Sequence, residues 1–225
     1  MGGIYLVRHG QAPATAYGVG DAAAAGPGLT ELGTAQARRT GAELAGLVPG
    51  FTAAISGDLP RQRATLAGVL EAFQTPPEPV VDPDWNEYEI PQSIDASAEE
   101  LTRMYRDGAA YQRVLDAALA RWVGGEDSGG ESYAAFGGRV AAAAERAVAL
   151  AGSGQNVLVV SSAGVIMQLV ARLWQVPDAQ WPTLARSMFN ASFSRLLVGR
   201  SGVTVVSVNE HAHLAAGDAG LASFR

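Results

Sequence analysis

The chain has 225 residues, of which 48% are hydrophobic and 17% charged, so it can bury one substantial core and does not have the composition of a disordered protein. Its net charge of −6 argues against nucleic acid or an anionic membrane as the main partner, and we expect neither. It contains no cysteine, which excludes disulfides and thiolate chemistry and fits the cytoplasmic location that we expect.

Six runs have the composition of β-strands and alternate with helical patterns over most of the chain. They are residues 4–7, 53–56, 79–82, 157–161, 194–198 and 203–208. This alternation predicts a mostly parallel sheet with helices on both faces, a three-layer α-β-α sandwich. Only Gly-Arg-Ser-Gly separates the last two strongly patterned runs, which predicts a hairpin and therefore one antiparallel edge strand. We treat residues 1–225 as one domain.

The helical patterns between the strands carry recognisable start signals. Thr30 is a suitable N-cap for the first helix, Pro60 stands at the first position of the second, and Ser132 can cap a later one. The inward-facing residues of the first helix are predicted to be Leu32, Ala35, Leu44 and Leu47.

Residues 83–130 do not follow the alternation of strands and helices. They are polar, contain Pro83 and Pro91, and are predicted to hold helices over about 98–107 and 110–123. We interpret them as a helical insertion that covers the active site rather than as a separate domain.

Two apolar stretches resemble, at first sight, a secretion signal and a membrane-spanning helix. The N-terminal stretch is interrupted by Arg8 and His9, which leaves it too short for a secretion signal. Residues 157–174 come near to membrane-spanning length but contain Ser161 and Arg172. The first half of that run is rich in β-branched residues and the second has helical spacing, so we interpret it as a strand, a turn and a helix.

Polar and charged side chains follow three of the predicted strands. Arg8, His9 and Gly10 follow the first strand, Arg61 lies in the helical turn after the second, and Ser162 follows the fourth. In a parallel sheet, ligand sites form where the carboxyl ends of the strands meet the loops that follow. Helix N-termini and arginine side chains both bind anions, and arginine does so with paired hydrogen bonds. The pattern predicts a phosphoryl-binding site.

Six blocks, in order along the whole chain, resemble the histidine phosphatase superfamily, which has the phosphoglycerate-mutase-like fold. The blocks are LVRHGQA (6–12), LTELGTAQA (29–37), SGDLPRQRAT (56–65), WNEYE (85–89), GGES (129–132), and NASFSRLL (190–197) with VNEHAHL (208–214). The Arg-His-Gly tripeptide alone is a weak signal, whereas six blocks in the family's order are a strong one.

The resemblance implies phosphatase chemistry through a phosphohistidine. His9 would attack phosphorus, since a neutral imidazole is nucleophilic without a base to deprotonate it. Arg8 and Arg61 would hold the phosphoryl oxygens and stabilise the charge that develops during transfer. Gly10 would let the backbone pass close to the phosphate.

The resemblance also implies a carboxylic acid that protonates the leaving oxygen and then assists the attack of water. Glu87 is the candidate, because Asn86-Glu87 is similar to the Asn-Glu of the mutase branch. Glu89 is held in reserve. Glu131, in the GGES block, is expected to begin a helix rather than to take part in catalysis.

The sequence departs from the family pattern after the fourth strand. The family usually has Ser-His-Gly-Gly there, whereas this chain has Ser161-Ser162-Ala163-Gly164. Ser162 therefore occupies the position of a phosphate-binding histidine. Its hydroxyl can donate one hydrogen bond but carries no positive charge, so we expect weaker catalysis with less effect on binding. The two serines could also form a plain turn that caps the next helix, which is compatible with phosphate binding.

The expected function is that of a phosphomonoesterase acting on a small phosphorylated metabolite. Two alternatives stay open: a phospho-ligand binding or regulatory protein with a degraded site, and a phosphoglycerate-type mutase. We expect no metal or other cofactor, because the three histidines, His9, His211 and His213, do not have the spacing of metal ligands. The last two are interpreted as polar residues of the C-terminal segment.

Overall fold

The computed structural model describes residues 1–13, 16, 28–89, 108–127, 129–215 and 220–224. Its strands are β1 (Gly2–Arg8), β2 (Ala53–Ser56), β3 (Pro79–Val81), β4 (Asn156–Ser161), β5 (Phe193–Gly199) and β6 (Gly202–Glu210). Its helices are α1 (Glu31–Leu47), α2 (Pro60–Leu70), α3 (Gly108–Val123), α4 (Tyr133–Leu150), α5 (Ala163–Leu173), α6 (Trp181–Arg186) and α7 (Ala212–Ala215). The helix predicted at 98–107 lies outside the described residues.

The six strands form one sheet in the order β3-β2-β4-β1-β5-β6. Strands β1 to β4 are parallel to one another. Strand β5 runs antiparallel to β1, and β6 pairs with β5 as a hairpin at the edge. The predicted mostly parallel sheet with an antiparallel edge is therefore confirmed. Arg8 of β1 pairs with Ser161 of β4, and Ser56 of β2 pairs with Val160, so the carboxyl ends of three strands lie side by side.

Hydrophobic side chains on opposite faces of the sheet form two buried clusters. Leu6 and Val159 face a cluster that includes Phe136 of α4. Val7 and Val160 face the other cluster, together with residues of α1 and α2. Successive strand residues point to opposite faces, so each central strand contributes to both cores, and the three-layer architecture is confirmed.

Helix α1 begins as predicted, but the face that it buries is different. The Thr30 hydroxyl accepts a hydrogen bond from the Gly33 amide (3.0 Å), which confirms the cap. Leu44 is buried, whereas Ala35 and Leu47 are exposed, so the predicted face is wrong at these two positions. The buried face is instead formed by Gly33, Gln36, Ala37, Thr40, Gly41 and Leu44. Gly41 packs against Val69 of α2, whereas Gln36 and Thr40 bond to loop backbone, at the Gln11 amide and the Ala191 carbonyl oxygen. Polar side chains are buried on this face because they satisfy such backbone groups.

The insertion contributes helix α3, which confirms the helix predicted at 110–123. Trp122 near its end is 2% exposed, and its Nε1 donates to the Glu131 carbonyl oxygen (2.7 Å). The Trp122 ring lies 5.3 Å from that of Tyr88, centroid to centroid. Tyr88 follows Glu87 in the chain, so α3 packs directly behind the segment that carries the predicted acid.

Residues 157–174 form β4, a short turn and α5, as the sequence predicts. Among the residues that the structure describes, no helix combines the length and the hydrophobicity needed to cross a membrane.

Candidate active site

The residues predicted to bind a phosphoryl group come together at the carboxyl edge of the sheet. Arg8 ends β1, and the His9 amide donates to the Ser161 carbonyl oxygen of β4 (2.9 Å). The charges of Arg61 and Arg8 act on both His9 and Glu87: they add to the lowering of the His9 pKa by burial, and they oppose the rise that burial causes in the Glu87 pKa. Residues that are distant in sequence therefore form one electrostatically coupled group.

His9 is held as a neutral imidazole in a defined tautomer. Its side chain is buried, and its Nδ1 lies 2.8 Å from the carbonyl oxygen of Gly10. Because a carbonyl oxygen can only accept, Nδ1 carries the proton and the lone pair of the neutral ring is on Nε2. Burial, and after it the charges of Arg61 and Arg8, lower the pKa of His9 well below 6.5. The ring is therefore uncharged at neutral pH.

The loop between α6 and β5 fixes the backbone of the Arg8-His9 pair. The His9 carbonyl oxygen accepts hydrogen bonds from the Ala191 amide (3.2 Å) and from the Asn190 side-chain amide (3.4 Å). The Arg8 guanidinium donates through Nη1 to the Met188 carbonyl oxygen. This loop lies far from the first strand in sequence, so the tertiary fold sets the orientation of both side chains.

Arg61 lies in the first turn of α2, where Pro60 begins the helix as predicted. The Thr65 hydroxyl donates to the Arg61 carbonyl oxygen (2.7 Å) and accepts from the Gly10 amide (3.0 Å). These two bonds tie α2 to the loop that carries His9. The Arg61 side chain is also buried, and its Nη1 donates to the carbonyl oxygen of Ala16 (2.7 Å).

Gly10, predicted from the sequence to lie close to the phosphate, makes a close approach to helix α1. A Cβ atom at Gly10 would lie 2.5 Å from the Gly33 carbonyl oxygen of α1. The structure therefore gives a second reason for glycine at this position, because any side chain would push the loop away from α1.

Glu87, rather than Glu89, lies beside the two arginines. Its Oε2 accepts a hydrogen bond from the Gly164 amide at the start of α5 (3.2 Å). Burial raises the pKa of the Glu87 carboxyl above 4.5, although the Gly164 bond and the arginine charges oppose that rise. Glu89 is exposed, and its carboxylate lies next to Gly130.

Ser162 does not cap the helix that follows it. It occupies the N-cap position of α5, but its hydroxyl makes no capping hydrogen bond, so the capping interpretation is wrong. Its Oγ instead accepts from the Gln62 side-chain amide (2.9 Å), which also donates to the Trp85 carbonyl oxygen (3.1 Å). Ser162 is completely buried beside the site. Its own hydroxyl proton has no acceptor among the described residues.

Two polar residues near the site, the buried Gln36 and the half-buried Arg139, were missed by the sequence analysis. Gln36 accepts from the Gln11 amide (2.8 Å) and donates to the Leu221 carbonyl and the Ser223 hydroxyl oxygens, both at 2.7 Å. It thereby joins the His9 loop to the C-terminal segment. The second missed residue is Arg139 of α4, which donates to the carbonyl oxygens of Asp84 and Asn86. Polar residues on helices are usually solvated, so no sequence signal set these two apart.

The two C-terminal histidines have partners of their own. The His211 ring stacks on Phe189, with centroids 3.9 Å apart. The buried His213 ring has Nε2 2.9 Å from the Thr40 hydroxyl of α1. Over the described ranges, no group of three or more histidine, aspartate or glutamate side chains is arranged to hold a metal ion.

Comparison with known proteins decides the family. Residues 4–211 match the sequence model of the histidine phosphatase superfamily (branch 1). The chain belongs to that superfamily. The prediction from the six blocks is confirmed, and so is the prediction that this histidine phosphatase is an enzyme of the phosphatase class.

Individual relatives of this histidine phosphatase agree with the assignment. The chain is 33% identical over 176 residues to an adenosylcobalamin/alpha-ribazole phosphatase of Salmonella typhi, which covers 78% of this chain and 81% of the relative. A mycobacterial glucosyl-3-phosphoglycerate phosphatase, solved with VO3, has a TM-score of 0.68 and 26% identity, covering 93% of this chain and 100% of the other. The alpha-ribazole phosphatase of Shigella flexneri shares the fold, with a TM-score of 0.66 at 24% identity, covering 92% and 96% of the two chains.

Proposed function

We propose that this histidine phosphatase hydrolyses a small phosphomonoester through a phosphohistidine formed on Nε2 of His9. The observation that carries the proposal is the neutral His9 ring, with its Nδ1 proton directed to the Gly10 carbonyl oxygen and two arginines acting on it. A neutral imidazole between two cations is suited to attack a phosphoryl dianion, because the cations compensate the negative charge that repels a nucleophile.

In the first step of the proposed reaction, Nε2 of His9 attacks phosphorus and the bond from phosphorus to the leaving oxygen breaks. Arg8 and Arg61 stabilise the charge on the phosphoryl oxygens. Glu87 gives its proton to the leaving oxygen as that bond breaks, so the alcohol departs uncharged. A raised pKa favours this role, because the carboxyl keeps its proton to higher pH than an exposed glutamate does.

In the second step, water attacks phosphorus and the bond between phosphorus and Nε2 breaks. Glu87, now a carboxylate, takes a proton from the attacking water. Inorganic phosphate is released, and His9 returns to its neutral form. The protein ends the cycle in the protonation state in which it began, and no metal or organic cofactor takes part.

Ser162 supplies a neutral hydrogen bond in this scheme. The Gln62 side-chain amide donates to Oγ of Ser162, so that a lone pair of Oγ points to Gln62. The hydroxyl proton of Ser162 is then left to be donated to a phosphoryl oxygen. The absence of a cationic side chain at position 162 is the observation that favours the alternative function, a phospho-ligand binding protein with a degraded site. We favour the enzyme, because His9, Arg8, Arg61 and Glu87, to which we assign the catalytic roles, come together at one edge of the sheet.

The relatives named above support the proposed substrate class. The substrates in their names are glucosyl-3-phosphoglycerate and a phosphate ester of alpha-ribazole, and both compounds are small phosphorylated metabolites. A useful substrate panel therefore contains those two classes, simple sugar phosphates and p-nitrophenyl phosphate.

The test combines this panel with His9→Ala. We expect the parent to release inorganic phosphate and to form an acid-labile phosphoprotein, and we expect both properties to be lost in His9→Ala. His211→Ala, which removes another histidine ring, a half-buried one that stacks on Phe189, is the control for loss of a histidine and should keep both. Release of phosphate by folded His9→Ala at the parental rate would refute the mechanism. Binding without turnover in the parent would favour the degraded-site protein, and an isomerised product would favour a mutase.

A further inference from the structure

Arg139 of α4 has a half-buried guanidinium whose hydrogen bonds converge on one short segment. Its side chain is 19% exposed and forms a two-bond ion pair with Glu131, Nε to Oε1 at 2.6 Å and Nη2 to Oε2 at 2.9 Å. Its Nη1 donates to the carbonyl oxygens of Asp84 (2.9 Å) and Asn86 (2.7 Å). Its Nη2 also approaches the Glu87 carbonyl oxygen (3.4 Å).

The segment that Arg139 contacts is the one that carries the proposed acid. The remaining carbonyl of this stretch, that of Trp85, accepts from the Ser161 hydroxyl (2.6 Å) and from the Gln62 side-chain amide (3.1 Å). Four consecutive carbonyls from residue 84 to residue 87 are therefore bound by side chains. From the end of the short 3-10 turn at Pro83–Trp85 to residue 89, where the described stretch stops, no helix or strand holds the backbone. The side chains named here hold it instead.

We propose that Arg139 is a positioning residue that holds the Glu87 carboxyl in place, an inference that rests on the acid role proposed for Glu87. Arg139 acts through the backbone and does not touch the reacting atoms. A half-buried carboxyl gains by moving into water, so a free segment would let Glu87 leave its place beside the leaving oxygen. A displacement of about 1 Å can cost roughly a hundredfold in rate.

The geometry of arginine is what this role requires. A guanidinium presents five N–H groups in one plane, and here they serve the Glu131 carboxylate on one side and backbone carbonyls on another. A lysine ammonium keeps the charge but cannot span both sets. Glu131 in turn is tied to α3, because its carbonyl oxygen accepts from the Trp122 indole.

Arg146 provides a matched control on the same helix. It contacts the same segment, but through the carboxylates of Asp82 and Asp84 (2.8 and 2.6 Å), and its side chain is 48% exposed. No contact of Arg146 with the carbonyls of residues 86 and 87 is found among the described residues. Loss of an exposed ion pair of this kind has little effect on a structure.

The first measurement compares kcat/KM for an alkyl phosphate, which needs a proton on its leaving oxygen, with kcat/KM for p-nitrophenyl phosphate, which does not. We expect Arg139→Met and Arg139→Lys to lose at least about tenfold more on the alkyl phosphate, and Arg146→Met to keep the parental ratio. In a Glu87→Gln background, Arg139→Met should change the ratio no further, because the group that it positions is already absent.

The second measurement does not depend on activity. The Gly164 amide is buried and its acceptor is Glu87, so its hydrogen exchange reports the place of that carboxyl. By NMR, we expect exchange at Gly164 to be about tenfold faster in Arg139→Met, the value of one lost hydrogen bond, and unchanged in Arg146→Met. Glu131→Gln weakens the ion pair with the Arg139 guanidinium and should shift both measurements in the same direction. It replaces Arg139→Met as the test variant if Arg139→Met does not fold.

The outcomes separate this inference from the proposed function. Parental Gly164 exchange and a parental substrate ratio in Arg139→Met would overturn it, as would equal changes in Arg146→Met. If Glu87→Gln loses activity equally on both substrates, the acid role of Glu87 fails. Gly164 exchange then decides alone: faster exchange in Arg139→Met supports the positioning role, and parental exchange overturns it.

Discussion

The Glu87 carboxylate lies against Gly164 at the start of α5, so closely that a side chain on residue 164 would displace it. Its Oε2 accepts from the Gly164 amide (3.2 Å). A Cβ atom on Gly164 would collide with the other carboxylate oxygen and would come 2.7 Å from Cε1 of Tyr88. The first amides of a helix have no acceptor within the helix, so Glu87 satisfies one of them while it faces the two arginines.

Gly164→Ala should therefore damage both stability and leaving-group assistance. We expect a loss of about 1–3 kcal/mol in the free energy of unfolding, the usual effect of overpacking, and a larger fall in kcat/KM for alkyl phosphates than for p-nitrophenyl phosphate. Urea unfolding and steady-state kinetics measure the two effects. Gly138→Ala in α4 is the control: its Cβ would meet no atom within 4 Å, so it should gain about 0.5–1 kcal/mol. Equal behaviour of the two variants would contradict this placement of Glu87.

The pH dependence of kcat/KM for an alkyl phosphate should reflect His9 and Glu87 in opposite directions. His9 must be neutral, and because its pKa is lowered from 6.5, we expect the acid limb that it causes to lie below pH 6.5. Glu87 must be protonated, and because its pKa is raised from 4.5, activity should fall only as pH rises through that higher value. Glu87→Gln should remove the alkaline limb from the profile of the same substrate. An alkaline limb that survives unchanged in Glu87→Gln would count against the acid role.

Ser162 should contribute modestly, and restoring a histidine there should increase activity. Ser162→Ala removes one neutral donor and the acceptor of Gln62, so we expect a loss of about 0.5–1.5 kcal/mol, or up to about tenfold in kcat/KM. Ser162→His is best made together with Ala163→Gly, since Ala163 is buried and overpacking costs about 1–3 kcal/mol. The double variant should exceed Ala163→Gly alone in kcat/KM. If it folds without a gain and Ser162→Ala is neutral, Ser162 does not face the phosphate.

His213 should make the folded state less stable as the pH falls. Burial, followed by the charge of Arg39, lowers the pKa of His213 to about 4, whereas the unfolded chain has a value near 6.5. Between these two values the unfolded state binds a proton that the native state does not, so stability is full above pH 6.5 and declines toward pH 4, by at most about 3 kcal/mol. His213→Gln should reduce the difference in unfolding free energy between pH 7 and pH 5, measured in urea. A difference equal to that of the parent would show that another group, His9 foremost, accounts for the decline.

Local patterns in the sequence were sufficient for most of the architecture. The strands, the caps at Thr30 and Ser132 and the hairpin at the edge all follow from windows of a few residues, and all are found in the structure. Wrong predictions arose where a helix packs against polar loops. On α1 the buried positions include Gln36 and Thr40, while the apolar Leu47 is 45% exposed, because hydrophobic periodicity does not register a polar contact surface.

The sequence was sufficient to predict that His9, Arg8 and Arg61 would meet, because each lies at or just after the end of a strand in a parallel sheet and the carboxyl ends of such strands share one edge. The carboxylate that joins them depends on tertiary packing, since Glu87 and Glu89 stand two residues apart on a segment without regular structure. It also decided the partners of Ser162 and Gln36, which lie 100 and 185 positions away, at Gln62 and Leu221. Contacts over such separations depend on how the layers pack, and no pattern within a short window encodes them.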